Sequence, residues 1–433
     1  MLKKIIFLFG LFSSFFLSCK EQKQILIDTN NLQNDCVKNL TEVIVHDIFS
    51  PPVSSRIYAY CNLAYYEAIK CRDTSSKSLT NQLNGFSIIE LNIPAKIDCN
   101  AAAVLAFLTT AKALVFSKDS IEKKIITYNS IFKNNLDKET FDNSILLAKI
   151  ISDNILKRAS EDNYKLTRGM PKYSVYNDSN HWQQTPPDYF DAIEPNWKLI
   201  KPLFLDSAAQ FKPETATMYN TSKISFFYKE MMDVYTKSKN LSLREDTIAH
   251  FWDDNPFVTN HKGHFTFATK KTTPVGHWMG IISILSNKKN SIEIAYLYAS
   301  TSVVIFDAFI SCWKEKYESK KIRPITAIRS VVDDKWEPLL QTPPFPEYTS
   351  GHSVISSAAA VVVENIVGKN ISFTDTTEKE YLGLVRSFTS ITEAAHEAGI
   401  SRFYGGIHFL SAITEGKKQG VAIGNFFNTK IKH

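Results

Sequence analysis

Three short motifs near the end of the chain carry residue types that could hold an oxyanion. In chain order they supply Lys316 and Arg323, then Ser350, Gly351 and His352, and finally Arg402 and His408. Arginine offers a rigid fork of donors to charged oxygens, and lysine acts as a point charge. One histidine could bond the central atom while the other moves protons. The set predicts a site for a tetrahedral or trigonal-bipyramidal oxyanion such as phosphate or vanadate.

The first motif should place two cations just after a long apolar helix. Lys316 follows the apolar residues 296–313 within a turn, and Arg323 directly precedes Pro324. The residue before a proline disfavours the helical conformation, whereas proline suits the first turn of a new helix. We therefore expect a break at Arg323 and a short helix beginning at Pro324. A solvated lysine and arginine cluster is the alternative interpretation.

The second motif precedes an apolar helix and so places small residues at the helix N-terminus. Free backbone amides and the helix dipole favour an anion at such a position. Ser350 could instead act only as the helix N-cap. His352, directly after Gly351, is harder to explain as a capping residue. A histidine beside anionic oxygens is kept protonated and can act as an acid.

The third motif ends in a histidine that follows two glycines. Gly405 and Gly406 should let the backbone approach the site closely, and His408 should open the last helix. Taken alone, a histidine of this kind is more often a satisfied core residue. The combination of three motifs in this order favours a single shared site.

Hydrophobic spacing of three to four residues predicts helices nearly throughout. Residues 162–205 should form a long aromatic loop, because five prolines break any regular element there. Residues 296–313 approach membrane-spanning length, but Asp307 and several hydroxyls favour a buried central helix. Convincing alternating strands are absent, so the predicted fold is an all-α helical bundle. The predicted helices cover residues 101–115, 121–133, 141–159, 214–238, 242–252, 274–287, 291–319, 353–367, 377–398 and 406–427.

The first 18 residues are typical of a lipoprotein signal peptide. Two lysines are followed by an apolar stretch and then by Cys19, whose thiol would carry the lipid anchor. A plain secretory signal is the alternative, because Phe16 is looser than the usual aliphatic residue at that position. We expect a tether over residues 19–35 and a helical domain over residues 36–433, with the catalytic motifs in 310–428. The protein should be exported and lipid-anchored in the periplasm or cell envelope.

Charge and cysteine usage exclude several other classes of protein. The net charge of +6 arises from 50 basic and 44 acidic residues, and this near balance, with both signs spread along the chain, favours a solvated surface over a nucleic-acid stripe. The mature chain would keep Cys36, Cys61, Cys71, Cys99 and Cys312. None has CxxC spacing, so neither a zinc ribbon nor a redox pair is predicted. Export could oxidise some of them, and the odd count leaves at least one thiol reduced.

A separate zinc site is the main alternative use of the other histidines. His261 and His264 are spaced as a possible ligand pair, and His277 follows nearby. No HExxH motif occurs, and Asp253 and Asp254 are the close acids, so loop histidines are the favoured interpretation. Serine-hydrolase and nucleotide-binding motifs are absent from the sequence.

The three motifs together resemble the signature shared by vanadium-dependent haloperoxidases and soluble acid phosphatases of the type-2 phosphatidic acid phosphatase superfamily. The wider match is to bacterial haloperoxidases, in particular bacterial iodoperoxidases, and covers about residues 40–428. It includes Ser50-Pro51-Pro52-Val53, Phe251-Trp252-Asp253-Asp254, Gly276-His277-Trp278 and Asp307-Ala308-Phe309. The resemblance implies an all-α bundle of the vanadium haloperoxidase and acid phosphatase type.

The resemblance also implies a vanadate cofactor, with phosphate able to occupy the same site. His408 would bond vanadium at the axial position. Lys316, Arg323 and Arg402 would neutralise the equatorial oxygens.

The remaining motif residues would complete that site. Ser350 and the Gly351 amide would add hydrogen bonds to the oxygens, and His352 would be the acid–base group. By the same resemblance, Trp313 and Phe345 would form an aromatic wall near the metal oxygens.

Two positions depart from the family pattern. Thr349 stands where the family usually has proline, which should loosen the turn before Ser-Gly-His. Ala412 stands where many members carry an aspartate that orients the metal-binding histidine, here His408. Ser411, Glu415 or a backbone carbonyl could replace that aspartate. A less basic histidine would weaken vanadate binding.

The leading hypothesis is an iodide peroxidase-like haloperoxidase. It would oxidise iodide, with bromide as the second candidate, using hydrogen peroxide to make hypohalous acid for small organic acceptors. One alternative is an acid phosphatase that forms phosphohistidine at His408, and another is a catalytically silent, anion-binding envelope lipoprotein. The membrane would be contacted only through the lipid anchor, no nucleic-acid partner is expected, and the oligomeric state is left open.

Overall fold

A long buried helix sets the positions of the other elements. The computed structural model describes residues 31–88, 93–176, 178, 180–262 and 264–432. The predicted all-α fold is confirmed: the described residues form fifteen α-helices and four short strands. The helices are α1 Leu32–His46, α2 Pro51–Ile69, α3 Cys99–Leu114, α4 Lys118–Asn135, α5 Lys138–Ser160, α6 Tyr164–Arg168, α7 Phe226–Lys239, α8 Leu243–Phe251, α9 Pro274–Leu285, α10 Ser291–Ser319, α11 Pro324–Val331, α12 Gly351–Val367, α13 Lys379–Leu382, α14 Ile391–Tyr404 and α15 Leu410–Lys430. The strands are β1 Phe257–Lys262, β2 Phe265–Lys270, β3 Phe373–Asp375 and β4 Arg386–Phe388.

The central helix is α10, as predicted. Asn290 caps its start in a reciprocal pair of bonds with Glu293, and Lys320 ends it in the left-handed conformation with φ of 51°. By length and composition α10 could cross a membrane, yet every residue of its apolar window is buried inside the protein. A helix that is apolar on all faces is the expected centre of a large core.

Two groups of helices pack on α10 from different sides. One group is built on α2, with α3 and α5 behind it and α4 packed on α3. The other is built on α12, which contacts both α14 and α15. The three motifs lie at the end of α10, the start of α12 and the junction of α14 with α15. The second group therefore brings the predicted site residues together.

Three glycines let α15 pack closely on α12. Gly416, Gly420 and Gly424 are four residues apart and so share one face of α15. A Cβ atom added at Gly420 would lie 2.2 Å from the carbonyl oxygen of Val354 in α12. This close contact fixes the turn before α15 against the N-terminus of α12.

We expect Gly420→Ala to lower the free energy of unfolding by about 2 kcal/mol. Alanine favours helices, but the added carbon would overlap with backbone atoms of α12, which cannot rotate away. Urea denaturation followed by circular dichroism measures the effect. Gly169→Ala is the matched control, because its added carbon would come no closer than 3.8 Å to another atom. An unchanged midpoint for Gly420→Ala would contradict the close packing.

Two predicted helices depart furthest from the observed ones, because side-chain caps and a glycine decide where helices start and end. The helix predicted over residues 214–238 begins only at Phe226, since the Ser225 hydroxyl accepts the Tyr228 amide and caps α7 there. The helix predicted over residues 377–398 is divided into α13, β4 and the first part of α14. Gly383, with φ of 69°, ends α13, and the Ser390 side chain caps the start of α14.

The prediction that strands are absent is wrong in two places. β1 and β2 form an antiparallel hairpin in which Phe257 lies opposite Lys270. β3 and β4 pair so that Phe373 faces Phe388, and both rings are buried. The β-branched and aromatic residues of β1 and β2 were the available signal. The residues of β2 are all exposed, so no hydrophobic face supported that signal.

The predicted loop over residues 162–205 is largely irregular, with α6 and one short 3-10 turn inside it. Asp307 of α10 holds the C-terminal end of this loop. The Asp307 carboxylate accepts the amides of Leu203, Phe204 and Leu205 at 2.7, 2.7 and 2.9 Å. Burial raises the pKa of Asp307 to about 6. The loop also contacts the C-terminal half of α10, where Trp313 Nε1 donates to the Ile193 carbonyl.

The cysteines pair in a way that the sequence left open. Cys71 and Cys99 form a disulfide, which joins the end of α2 to the start of α3. Cys36, Cys61 and Cys312 are buried thiols, and Cys312 Sγ donates to the Thr349 carbonyl at 3.6 Å. The predicted signal peptide and Cys19 lie outside the described residues. The first helix starts at Leu32, inside the segment predicted as a tether.

Candidate active site

The three motifs meet between α10, α12 and the turn before α15. Lys316 lies in the last turn of α10, and Arg323 lies in extended backbone directly before α11, whose start at Pro324 is confirmed. Arg402 is near the end of α14, and His408 is in the turn that follows. Arg323 Nη1 lies 3.1 Å from His408 Nε2. We call the set of seven the oxyanion cage: Lys316, Arg323, Ser350, Gly351, His352, Arg402 and His408.

Three buried donors of the cage lack a protein partner. Within the described part of the chain, Arg323 Nη2, Ser350 Oγ and Arg402 Nε make no hydrogen bond, and the same holds for the ring atom His352 Nε2. Arg323, Ser350 and Arg402 are at most 1% exposed, so water does not readily replace the missing partner. Buried donors without partners are costly, above all on charged groups. The cage therefore fits an anion that would accept from all three.

Ser350 does not act as a helix cap, although it occupies the N-cap position of α12. Its side chain makes no capping hydrogen bond, and its amide donates to the Ala412 carbonyl at 3.1 Å. The interpretation of Ser350 as a simple cap is therefore wrong. Gly351 follows as the first residue of α12, and an added Cβ there would lie 3.7 Å from the Trp313 ring.

Two of the Arg323 nitrogens are used to fix the guanidinium. Nε donates to the Phe345 carbonyl at 2.8 Å, and Nη1 donates to the Ile407 carbonyl at 2.9 Å. Burial lowers the pKa of Arg323 to about 9. Because Lys316 and Arg323 are fully buried, the alternative of a solvated cluster is wrong.

The Lys316 ammonium holds the turn that precedes the second motif. Its Nζ donates to the carbonyls of Pro346, Glu347 and Thr349 at 3.1, 3.1 and 2.6 Å. An ammonium has three donors, so all of them are used. Burial lowers the pKa of Lys316 to about 7. A bound oxyanion would favour the charged form of Lys316, and a direct bond to that anion would require Lys316 to release one carbonyl.

The expectation that Thr349 loosens this turn is wrong. Thr349 is completely buried, and its hydroxyl donates to Gln419 Oε1 at 2.8 Å. Together with the bond from Lys316 to its carbonyl, this contact ties the turn to both α10 and α15. Hydrogen bonds thus fix this turn without a proline at position 349.

A carboxylate orients the ring of His408. Its Nδ1 lies 2.8 Å from Glu347 Oε1, and the same oxygen accepts the Phe409 amide at 3.0 Å. Because Oε1 already accepts a backbone N–H, the shared proton belongs to Nδ1, which leaves a lone pair on Nε2. The Arg323 donor beside Nε2 agrees with this tautomer.

The charges of the cage keep His408 neutral. Burial lowers the pKa of His408 well below its ordinary value, and Arg323, Lys316 and Arg402 lower it further. A neutral imidazole with an available lone pair is the form that binds a metal centre.

Glu347 was missed in the sequence, where Ser411 and Glu415 were the named candidates for this role. Neither contacts His408: the Ser411 amide donates to Glu230, and Glu415 pairs with Lys418. Glu347 precedes the Ser-Gly-His run by only three residues. An acid this close to a predicted site was the available signal.

A second carboxylate lies beside His352. Asp254 Oδ2 is 3.4 Å from His352 Nε2, and Asp254 Oδ1 is 2.8 Å from His277 Nδ1. The other nitrogen of His277 lies 2.9 Å from Asp375 Oδ2. Although burial opposes the charged form, Asp254 and Asp375 raise the pKa of His277 well above its ordinary value. A buried imidazolium therefore holds Asp254 in place against His352.

The protonation of His352 depends on what the cage holds. Burial, followed by the charge of Arg402, lowers the pKa of His352 to about 4, while Asp254 and Asp253 oppose this shift. The ring is thus neutral near pH 7 when no anion is bound. The expectation of a protonated His352 applies only beside a bound anion.

The alternative zinc site is not supported by the described histidines. Asp254, His277 and Glu378 lie close enough together to suggest metal ligands. Both ring nitrogens of His277, however, already face carboxylates at hydrogen-bonding distance. His264 is exposed on the β-hairpin.

The two glycines before His408 pack away from the cage, contrary to the prediction. A Cβ added at Gly405 would lie 2.6 Å from the Leu340 side chain, and Gly406 has φ of 74° beside Pro338. They allow the chain to reverse tightly over residues 338–340. His408 follows this turn and lies two residues before α15, which begins at Leu410, so the expectation that His408 opens the last helix is wrong.

The cage opens into an apolar cavity of about 390 Å³. Gly351, His352, Arg402 and His408 form its inner end. Trp313 and Phe345, the predicted aromatic wall, lie in the same cavity with ring centroids 5.0 Å apart.

Comparisons with known proteins agree with this arrangement. Residues 330–433 match the family model of the VCPO second helical-bundle domain. The crystal structure of a bacterial vanadium-dependent iodoperoxidase is 43% identical, with a TM-score of 0.89 over 95% of this chain and 99% of that one. Holo and apo structures of a bacterial vanadium-dependent chloroperoxidase are both 14% identical, with TM-scores of 0.65 and 0.63, over 89% and 88% of this chain and 93% and 95% of theirs. At that identity the likeness concerns the fold alone. A search of curated proteins gives no significant match.

Proposed function

This chain belongs to the vanadium-dependent haloperoxidase family, and we propose that it uses vanadate and hydrogen peroxide to oxidise iodide to hypoiodous acid. The observation that carries the proposal is the oxyanion cage, in which three buried donors without partners surround a neutral histidine. The 43% identity to a protein described as an iodoperoxidase supports iodide as the halide. Bromide, which is harder to oxidise, is the second candidate.

The residues of the cage would bind and orient the cofactor. His408 Nε2 would bond vanadium, and Arg323, Arg402 and Ser350 would donate to its oxygens through the atoms that lack partners. When bound, vanadate would supply a Lewis-acidic centre that makes hydrogen peroxide reactive towards halide without a change of oxidation state. Lys316 would add positive charge from behind the turn that it holds.

His352 would move protons at the inner end of the cavity. Its Nε2 lies 3.4 Å from Asp254 Oδ2, an ion-pair distance without a hydrogen bond, and we assign proton exchange with peroxide to Nδ1, the nitrogen on the other side of the ring. A bound anion would raise the pKa of His352 from its low value, and Asp254 favours the charged ring as well. Trp313 and Phe345 would keep bulk water from the reacting atoms.

The proposal is tested with one preparation and two assays. Protein freed of vanadium is incubated with orthovanadate, hydrogen peroxide and iodide, and triiodide formation is followed by absorbance. The same protein without vanadate is tested on p-nitrophenyl phosphate. We expect vanadate-dependent triiodide formation. Ester cleavage without halide oxidation would support the phosphatase, in which His408 attacks phosphorus, and vanadate binding without either activity would support a silent binding protein.

Glu347→Gln is expected to weaken vanadate binding about 10- to 100-fold, the usual effect of losing the partner of a metal-binding histidine. The amide keeps the shape of the side chain but removes the negative charge beside His408 Nδ1. Equilibrium dialysis against orthovanadate measures the dissociation constant. Glu337→Gln is the control, because that side chain is exposed and its partner, Arg329, is not a residue of the cage. Equal affinities in the two variants would refute the orienting role.

Asp254→Asn is expected to lower turnover about tenfold or more and to change its pH dependence. The negative charge of Asp254 raises the pKa of His352 against burial and Arg402. Its loss therefore lowers that pKa, and the decline of the rate at high pH should begin at a lower pH. A profile of kcat against pH measures this shift. Asp246→Asn, at an exposed site on α8, is the control, and an unshifted profile would remove Asp254 from the mechanism.

We also propose that the protein is exported and attached to a membrane by lipid on Cys19. The sequence of residues 1–19 supports this location, and the Cys71–Cys99 disulfide is typical of an oxidising compartment. Bacterial expression with radiolabelled palmitate would test it. We expect label in the wild type and none in Cys19→Ala, and an unlabelled wild type recovered in the soluble fraction would favour a plain secretory signal.

A further inference from the structure

The cavity outside the oxyanion cage is much larger than the proposed reaction needs. Hydrogen peroxide and a halide ion occupy a small part of about 390 Å³, a volume in the range of small-molecule binding sites. Its wall is mainly apolar and aromatic, with Phe190, Phe257, Phe309, Trp313, Pro344 and Phe345 as the main side chains. A wall of this kind would hold a hydrophobic organic molecule.

The charges around the cavity disfavour an anionic occupant. Asp191, Asp253 and Asp254 line the cavity. Arg402 is the single lysine or arginine side chain among its lining residues. Arg402 belongs to the oxyanion cage, where the cofactor would use its charge. Each carboxylate already has a cation of its own: Lys172 lies 2.5 Å from Asp191, Lys271 lies 2.6 Å from Asp253, and the His277 ring lies 2.8 Å from Asp254. The lining residues therefore offer an anion no unpaired cation in the apolar part of the cavity. An organic carboxylate would gain no partner there.

The position of the cavity connects it to the chemistry. The same walls include His352 and His408, so a molecule packed against Trp313 would lie next to the place where halide is oxidised. Phe190 from the long loop and Phe257 from β1 close the outer end, with ring centroids 6.1 Å apart in an edge-to-face contact. Two aromatic rings contributed by separate segments make a site that could accept a third ring.

We propose that this cavity binds a neutral aromatic acceptor, such as a phenol or naphthol, and that the acceptor is iodinated while bound. This inference rests on the proposed function, which supplies the hypoiodous acid. In the step, the oxygen–iodine bond breaks as a ring carbon bonds iodine, and the ring proton and the hydroxide leave as water. Halogenation inside the cavity would direct iodine to the ring carbon that faces the cage.

Binding is tested first on protein without vanadium, so that it does not depend on turnover. Titration calorimetry with 1-naphthol and with 1-naphthoate compares a neutral and an anionic ring of similar size. We expect saturable binding of naphthol and at least tenfold weaker binding of naphthoate. Phe257→Ala and, separately, Phe190→Ala should weaken naphthol binding about tenfold, the scale of one aromatic contact. Phe267→Ala, on the exposed partner strand of the same hairpin, is the matched control and should bind like the wild type.

Turnover is tested next with the vanadate-loaded enzyme. We expect the KM for 1-naphthol to rise about tenfold in Phe257→Ala, with triiodide formation unchanged, and the ratio of iodinated isomers to differ from that made by free hypoiodous acid. Normal triiodide formation with no naphthol binding, and with the isomer ratio of the free reagent, would overturn the cavity proposal and leave the proposed function intact. Saturable naphthol binding without any triiodide formation would instead refute the proposed function, while the acceptor site itself would stand.

Discussion

His408→Ala should fold normally and fail to retain vanadate. The imidazole presents the lone pair of Nε2 to the cage, because Glu347 holds its proton on Nδ1. Alanine removes the bond to vanadium, while Glu347 Oε1 keeps the Phe409 amide and Arg323 Nη1 keeps the Ile407 carbonyl. We expect the dissociation constant for vanadate to rise more than about 100-fold. This exceeds the loss expected when only Glu347, the hydrogen-bond partner of His408, is changed.

The measurement is the vanadium content after gel filtration, by elemental analysis, together with equilibrium dialysis. His396→Ala is the matched control, because this histidine is exposed on α14, the helix that also carries Arg402 of the cage. Circular dichroism must show the same helix content in both variants. A His408→Ala protein that keeps one vanadium per chain would exclude His408 as the metal ligand.

His352→Ala should bind vanadate and lose most of its turnover. His352 lines the inner end of the cavity. Its ring faces Asp254, and the other histidine of the cage, His408, is the one assigned to bond vanadium. General acid–base catalysis contributes about 100- to 10,000-fold, so kcat should fall by that amount while the vanadium content is unchanged. The wild-type rate should decline as pH rises through the pKa of the anion-bound ring, and this decline should vanish in the variant.

The test is a profile of kcat for triiodide formation from pH 5 to 9, with vanadium content measured at each pH. His181→Ala serves as the control, since that histidine pairs with Asp178 on the surface, outside the cage. If His352→Ala had wild-type rates across this range, another group would have to carry the proton.

The difference between the two histidines could not be obtained from the motifs alone. Both stand near glycines and at the ends of helices, and either could be ligand or acid by residue type. The structure separates them by their neighbours: Glu347 and a backbone amide fix the tautomer of His408, and Asp254 faces His352. The partner of His408 is not at the position that the family pattern suggested, which Ala412 occupies.

Local interactions explain which predictions succeeded. The α10 helix, the break at Arg323 and the helix at Pro324 depend on hydrophobic spacing and on the geometry of proline, which act over a few residues. The segments that were mispredicted depend on caps and on strand pairing. Gly383 and Ser390 interrupt a run whose spacing looks helical, and β4 forms because β3 is there to pair with it.

The all-α fold and the buried central helix could be predicted from hydrophobic spacing, which acts over a few residues, and the seven cage residues were predicted from motifs that resemble a family signature. Tertiary structure alone decided the Cys71–Cys99 pairing, the carboxylates behind His408 and His352, the full use of the Lys316 ammonium by carbonyls and the apolar cavity. The physical reason is that these features join side chains on elements far apart in the chain. Their distances are set by how closely helices pack, as at Gly420, and spacing along the sequence does not encode that contact.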